Sequence, residues 1–487
     1  MSYFNHFFRF LFVLTLVCSS TFAGDKDKAK QKLLTSIENK SADYWKMARQ
    51  IWEWAEPGYQ EERSSALLAL NLEKAGFTVV KGVAGIPTAF TAEFGSGKPV
   101  IGILGEFDAL PGLAQEAVAE KQSRTGSGGY GHGCGHHLFG VASSAAAIAL
   151  AEQIKAGNLK GTVRFYGTPA EEGGSAKVFI AGAGLFKDCD AVLHWHPSSR
   201  NAAGDATCLA RIAVKFRFHG KSAHAAAAPE QGRSALDAVE LTNHAAQLLR
   251  EHTPDFTRIH HVITSGGGAP NVVPNFCEVF YYVRHPDATT VKALYQRLLK
   301  CAQAGALATE TELEVKYLGG THNILPNEAL SKITLRNLRE LVDLKYTEEE
   351  KKFAQKIQET LSNPKPLARI AEVVDGSGQL TKASTDVGDV SWVVPTAGLS
   401  TATWVPGVPA HSWQAVACGG TGIGRKGMML AAKALAATAW DLYHDSATLK
   451  AAKAELKKRR TGHVYEPLLE LGQKPPLDYR KPPKGDQ

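Results

Sequence analysis

The sequence predicts an α/β protein in which one layered domain is interrupted by a small ferredoxin-like α+β domain. Three observations lead there. Apolar runs of strand length alternate with helix-like segments through the first two hundred residues. From Arg211 the rhythm changes to β-α-β-β-α-β. Beyond about residue 320 a charged helical stretch leads back to strand chemistry like that of the first part. The expected layout has residues 24–208 and 321–450 as two parts of one domain, 209–320 as its insertion, and 451–487 as a basic, Pro-rich tail.

Taken in order, Ser41–Ala75 carries helical periodicity broken at Glu56-Pro57-Gly58. Val100–Leu104, Thr162–Tyr166, Ala191–His194 and Leu399–Trp404 are short, almost wholly apolar runs, the pattern of parallel strands buried on both faces. Val141–Lys155 is rich in Ala and Ser, so it predicts a helix able to pack closely on a sheet. In the insertion, Arg211–His219, Ile259–Ser265, Cys277–Arg284 and Thr311–Leu318 read as strands, and Ser234–Glu251 and Thr290–Ala304 as helices. Glu328–Asn363 is charged and helical.

The N-terminus has the form of an export signal. Arg9 precedes the apolar run Phe10–Val17, and Thr21 and Ala23 form a small-x-small site, so cleavage is expected after Ala23 and the mature chain is expected in the bacterial periplasm or outside the cell. The apolar run is shorter than the roughly twenty residues a membrane span needs, so no membrane partner is expected for the mature form. The formal charge of +7 is modest for 487 residues, and much of the surplus lies near the C-terminus. No basic stripe interleaves with aromatics elsewhere, which argues against nucleic acid. Seven cysteines, Cys18 among them in the signal, are too scattered for a disulfide framework. Metal ligation is one way an exported thiol is protected.

Four groups of ligand-type residues lie just past predicted strand ends, where ligands of open α/β sheets gather. Glu106-Phe107-Asp108 follows Val100–Leu104, and the Gly-rich run Gly131–His137 follows that. Glu171-Glu172 follows Thr162–Tyr166, His196 follows Ala191–His194, and His411 follows Leu399–Trp404. Thiolate, imidazole and carboxylate together suit zinc or a similar first-row ion. In an adjacent carboxylate pair, one member can bind metal while its neighbour faces a water as general base. Any one of these residues alone is more often a solvated surface group. Three histidines and a cysteine within a short glycine-rich loop are much rarer.

The motifs Glu106–Pro111 (EFDALP), Gly131–His136 (GHGCGH), Thr168–Gly173 (TPAEEG), Gly220–His224 (GKSAH), Ala269–Pro274 (APNVVP), Ser384–Trp392 (STDVGDVSW) and His411–Gln414 (HSWQ) resemble the aminoacylase/carboxypeptidase family of dinuclear metallohydrolases, in its amidohydrolase branch. The resemblance runs from about Ser41 to about Tyr443. It implies a discontinuous metallopeptidase-like catalytic domain with an inserted lid or dimerisation domain, and two divalent ions, zinc or manganese. Cys134 would bridge them, with His136, Glu172, His196 and His411 completing the shells. Glu171 would be the general base, Asp108 would orient a ligand, and His224 would reach the scissile carbonyl oxygen, often across a dimer interface. Asn271 and Arg284 resemble residues that hold a substrate carboxylate. In His194-Trp195-His196 either imidazole suits a ligand; counting six residues on from Asp190, as the family pattern runs, selects His196. The branch usually has Asp where this chain has His137, and many relatives have Asp-Met-Asp at Glu106-Phe107-Asp108.

The resemblance therefore implies hydrolysis of an N-acyl or N-aroyl amino acid, with glutamate the favoured amino-acid half, by a homodimer or a heteromer with a related subunit. Three other classes stand beside it. One is a dipeptidase or carboxypeptidase of the same family. Another is a thiol enzyme with Cys134 as nucleophile and a nearby His as base. The third is a non-catalytic binding subunit, whose mark would be a lost Glu171 or a lost ligand; neither is missing. A Gly-x-Ser-x-Gly elbow is absent, which disfavours a serine hydrolase.

Overall fold

A computed structural model describes residues 27–480. The expected signal, residues 1–23, lies outside the described residues. In chain order the large-sheet strands of the first part are β1 (Thr78–Lys81), β2 (Phe90–Ser96), β3 (Val100–Gly105), β4 (Gly161–Gly167), β5 (Ala191–Ser198) and β6 (Asn201–Ala203). The insertion supplies β7 (Ala210–His219), β8 (Arg258–Ser265), β9 (Phe276–His285) and β10 (Glu312–Thr321). The chain then returns with β11 (Val373–Asp375) and β12 (Thr396–Ala402).

The large sheet runs β1-β2-β4-β3-β5-β12-β6-β11. Its centre is parallel: β3 pairs with β4 and β5, and β12 pairs with β5. Every residue of β3 is buried, as an apolar run with no polar alternation requires. The His136–Lys155 helix packs on β3, β4 and β5 and against the Gly422–His444 helix. It is long and apolar enough to cross a membrane, but its apolar stretch is almost wholly buried in this fold. Small residues make that close approach work: a Cβ at Gly140 would stand 2.8 Å from the Glu106 carbonyl oxygen.

The insertion forms a four-stranded antiparallel sheet, β8-β9-β7-β10. Helices Ala235–Arg250 and Ala288–Thr309 pack together on one face, over a core that includes Phe216, Phe218, Val279, Tyr281 and Leu298. The other face carries Arg211, Lys215, Arg217, Phe280, Tyr282 and Arg284 towards the large domain.

The predicted strands and helices are present within a few residues, with informative differences. The Glu56-Pro57-Gly58 break separates helices Ser41–Trp54 and Glu62–Lys74. The charged stretch from Glu328 is two helices, Glu328–Leu341 and Glu348–Glu359, the second opened by a Thr347–Glu350 capping box. The predicted Val141 helix starts five residues earlier, at His136, because Gly135 turns the chain at φ +76° directly into its first turn. The strand predicted to stop at His194 runs to Ser198, so His196 lies on β5 rather than after it.

Candidate metal centre and active-site cleft

The site is assembled from the carboxyl ends of the parallel strands. Leaving β3, the chain passes Glu106 and Asp108, 1% exposed each. Leaving β4, it makes a tight turn at Glu171–Gly174 between Ala170 and Ser175, both in the left-handed region at φ +54° and +55°. Such backbone costs about 1–3 kcal/mol per residue and persists only where neighbours hold it. Here Glu61, fully buried, accepts a hydrogen bond from the Ala170 N–H at 2.8 Å. His411 also lies in the left-handed region, at φ +58°, and its N–H donates to the Gly133 carbonyl at 2.9 Å. That bond ties the His411 loop to the Cys134 loop.

Donor atoms converge in three overlapping groups, each within 4.8 Å: Cys134, His136 and His196; Cys134, Glu172 and His411; Glu106, His136 and Glu171. Cys134 and His136 each belong to two of them, and of the pair only a thiolate sulfur has the lone pairs to be shared between two ions. His136 Nδ1 lies 2.8 Å from Asp108 Oδ1, so Nδ1 carries the proton and Nε2 presents its lone pair. His196 Nδ1 likewise donates to the Pro197 carbonyl at 2.7 Å, leaving Nε2 at 3.4 Å from Cys134 Sγ. His194 instead lines a separate cavity next to Gly398, so the structure brings His196 into the cluster and leaves His194 out. His132 and His137 point away and bond the carbonyls of Ile51 and Gly419 at 3.1 Å.

Several of these atoms approach without hydrogen-bonding one another. His136 Nε2 is 3.1 Å from Glu106 Oε2, and His411 Nε2 is 2.9 Å from Glu172 Oε1. Yet His136 Nε2, Glu106 Oε2 and Glu172 Oε1 are all buried with no hydrogen-bond partner among the described residues. Buried polar atoms are rarely left so. Sulfur, imidazole nitrogen and carboxylate oxygen facing a common centre are what divalent first-row ions select, so the residues fit the metal.

Electrostatics separate the two glutamates. Burial, then the charge of Glu172, pushes Glu171 well above the ordinary carboxylate range. Burial also acts to raise Glu172, but His411 and His136 outweigh it and hold this carboxyl low. His136 similarly overcomes burial at Asp108, holding its carboxyl down to about 2. Burial, then Glu172, pushes the Cys134 thiol well up.

A buried ion cluster that no sequence motif marks lies beneath the site. Lys177, 0% exposed, reaches Glu106 Oε1 and Asp386 Oδ1 at 2.7 Å each. Its only sequence signal is a lysine within the otherwise apolar Ala176–Gly182 helix.

The cluster opens on a cleft of about 920 Å³ between the domains, lined by Glu171, Glu172 and His411 on one side and Arg211, Arg284 and Tyr282 on the other. The two guanidinium groups stack 4.7 and 5.3 Å from the Tyr282 ring centre. Arg211 donates to Ser175 Oγ at 3.1 Å and Arg284 to Ser384 Oγ at 3.2 Å, bridging the domains. Both keep a buried Nε without a hydrogen-bond partner among the described residues. The sequence points to Arg284 but not to Arg211. His224 and Asn271 are exposed on a loop pair of the small domain and do not line this cleft.

Likeness to known proteins covers the same elements. A model of peptidase family M20/M25/M40 matches residues 102–412, which hold every ligand candidate. The chain belongs to peptidase family M20/M25/M40. It is 41% identical over 447 residues to one of the subunits of p-aminobenzoyl-glutamate hydrolase of Escherichia coli strain K12, covering 86% of this chain and 93% of that one. It is 30% identical over 450 residues to Xaa-Arg dipeptidase of Mus musculus, covering 89% and 94%. Among solved structures, the aminobenzoyl-glutamate utilization protein of Klebsiella pneumoniae aligns with a TM-score of 0.56 at 17% identity, covering 85% of this chain and 98% of that chain. A dinuclear metal-binding M20 peptidase of Bacillus subtilis aligns at 0.56 and 17%, covering 84% and 99%. These two likenesses speak to the fold. As an M20 member the chain is a metal-dependent hydrolase of amide bonds.

Proposed function

We propose that this M20 hydrolase cleaves the amide bond of an N-aroyl or N-acyl amino acid, with p-aminobenzoyl-glutamate or a similar acyl-glutamate as substrate. The observation that carries this reading is the meeting of a five-residue donor set with a buried Glu171 carboxyl beside it, both opening on a cleft that holds a guanidinium pair with spare donors. The similarity to a p-aminobenzoyl-glutamate hydrolase subunit supports the substrate class.

Cys134, His136, His196, Glu172 and His411 would hold two divalent ions, zinc or manganese, with Cys134 shared. When bound, such ions polarise an amide carbonyl and acidify a water. Glu171 accepts the water's proton and passes it to the leaving nitrogen, work that suits a carboxyl with raised proton affinity. Asp108 keeps the His136 ring turned with Nε2 inward. Arg211 and Arg284 receive the substrate carboxylate, for which a guanidinium fork provides paired donors.

His224 and Asn271 lie away from their own chain's cleft. A second copy or a related subunit would bring their equivalents to it, so the working enzyme is an assembly. That two relatives are named as different subunits of p-aminobenzoyl-glutamate hydrolase supports a heteromer. Residues 1–23 would export the chain to the periplasm.

The dipeptidase relative raises a cationic substrate as the second reading. The small-domain wall of the cleft disfavours it, since that wall carries Arg211, Lys215, Arg217, Arg284 and Lys316 and its one carboxylate, Glu278, is already paired with Lys215 and Arg217 at 2.7 Å; the other lining carboxylates, Glu171, Glu172, Asp386 and Asp478, lie outside it. Initial rates on p-aminobenzoyl-glutamate and on a dipeptide ending in arginine decide between them. A charge-assisted hydrogen bond is worth about 1.5–3 kcal/mol, so the glutamate substrate should lead by roughly 10–100-fold in kcat/KM. Faster cleavage of the arginine dipeptide would reject the proposal.

A further inference from the structure

Residues 461–480 form no helix or strand, yet they are laid across both domains. Leu468 is buried in the small-domain core, and its carbonyl accepts from the Gly320 N–H at 2.8 Å. Tyr465 O–H donates to Asp389 Oδ1 at 2.9 Å, and Gln60 Nε2 donates to the Leu477 carbonyl at 3.0 Å. The stretch then ends against the Glu171–Gly174 turn, with Pro476, Asp478, Tyr479 and Arg480 lining the cleft.

Two donors from this segment converge on one atom. Tyr479 O–H donates to the Glu172 carbonyl oxygen at 3.0 Å, and Arg480 Nη2 donates to the same oxygen at 2.7 Å. The Glu172 N–H is held from the opposite side by Asp108 Oδ2 at 2.9 Å. The backbone on both sides of the Glu172 Cα is therefore fixed, within a turn bounded by two strained residues. Tyr479 is seated rather than loosely apposed. Its ring meets Tyr59 edge-on at 5.7 Å, Tyr59 O–H donates to Gly174 O at 2.7 Å, and a Cβ at Gly58 would stand only 2.2 Å from the Tyr479 hydroxyl. The Arg480 guanidinium lies 4.9 Å from the Tyr479 ring centre.

We propose that Tyr479 and Arg480 are positioning residues for Glu172, which makes the C-terminal segment a working wall of the active site. The proposal rests on the reading of Glu172 as a metal ligand. Groups that orient a ligand from outside typically carry 10–100-fold in metal affinity or activity. The test uses the full-length chain with Tyr479→Phe and Arg480→Met combined, stripped by chelator and titrated calorimetrically with Zn²⁺ alone, beside steady-state kinetics and a thermal melt. The expected result is an unchanged melt, Zn²⁺ affinity weaker by about 10–100-fold, a lower kcat and a KM near wild type. Arg480→Lys, which keeps a donor, should recover most of the affinity in the Tyr479→Phe background. If the double variant melts early, Tyr479→Phe alone carries the test with the same readouts. Wild-type Zn²⁺ affinity in the variants overturns the proposal, as does a raised KM with unchanged kcat, which would make Arg480 a substrate contact. Glu172→Gln separates the two readings. If it too binds Zn²⁺ as wild type, Glu172 is not a ligand; if it alone weakens binding, only the positioning role fails.

Discussion

Replacing Lys177 by Met tests the buried ion cluster that underlies the site. Lys177, Glu106 and Asp386 are each 1% exposed or less, and both N···O separations are 2.7 Å. With an effective dielectric of about 20, each contact is worth roughly 6 kcal/mol of Coulomb attraction. Desolvating three charges costs several kcal/mol per ion, so the intact cluster is close to break-even. Removing the lysine alone is another matter, because Glu106 and Asp386 then sit buried together without a cation, beside Glu171. We predict a loss of about 3–5 kcal/mol in equilibrium urea unfolding at neutral pH. Adding Glu106→Gln and Asp386→Asn removes the uncompensated charges and should return most of that loss. A Lys177→Met variant within about 1 kcal/mol of wild type, or no recovery in the triple variant, would refute the reasoning.

Two further outcomes are expected. Cys134→Ser exchanges the shared soft donor for a hydroxyl and should lower metal content per chain, checked by elemental analysis of purified protein; full occupancy would count against Cys134 as a ligand. Burial pushes the Asp389 carboxyl up to about 8, so the folded state keeps a proton that the unfolded chain, near the ordinary value of 3.8, has lost. The stability that this proton carries is complete below about pH 4 and is lost as pH rises towards 8. Asp389→Asn stays neutral, so its unfolding free energy should fall less than wild type between about pH 4 and 8; parallel profiles would sink this assignment.

Much of the architecture is legible because its signals are local. The apolar runs of β3 and β4 sit where the sequence predicts, since a strand buried on both faces cannot alternate. Proline and glycine at positions 57 and 58 mark the helix break for similarly local reasons. β6 and β11, three residues each, are too short for any period, and β2 runs out into exposed polar residues, so the pattern does not predict them. The ligand candidates are legible because strand ends converge, whatever the distance in sequence. Glu61, Lys177, Asp386 and Arg211 take no role from sequence, since a lone charged residue reveals neither its burial nor its partner. Tyr479 and Arg480 lie in a stretch whose composition suggests only a basic, Pro-rich tail. Its packing depends on contacts 307 residues away in sequence, as between Tyr479 and Glu172.

The central claim is that Glu171 does the proton work beside metals held by other residues. It is tested most directly by Glu171→Ala, with metal content and p-aminobenzoyl-glutamate hydrolysis measured on the same sample. The expected result is metal content near that of wild type with turnover abolished. Wild-type-like turnover in that variant would contradict it.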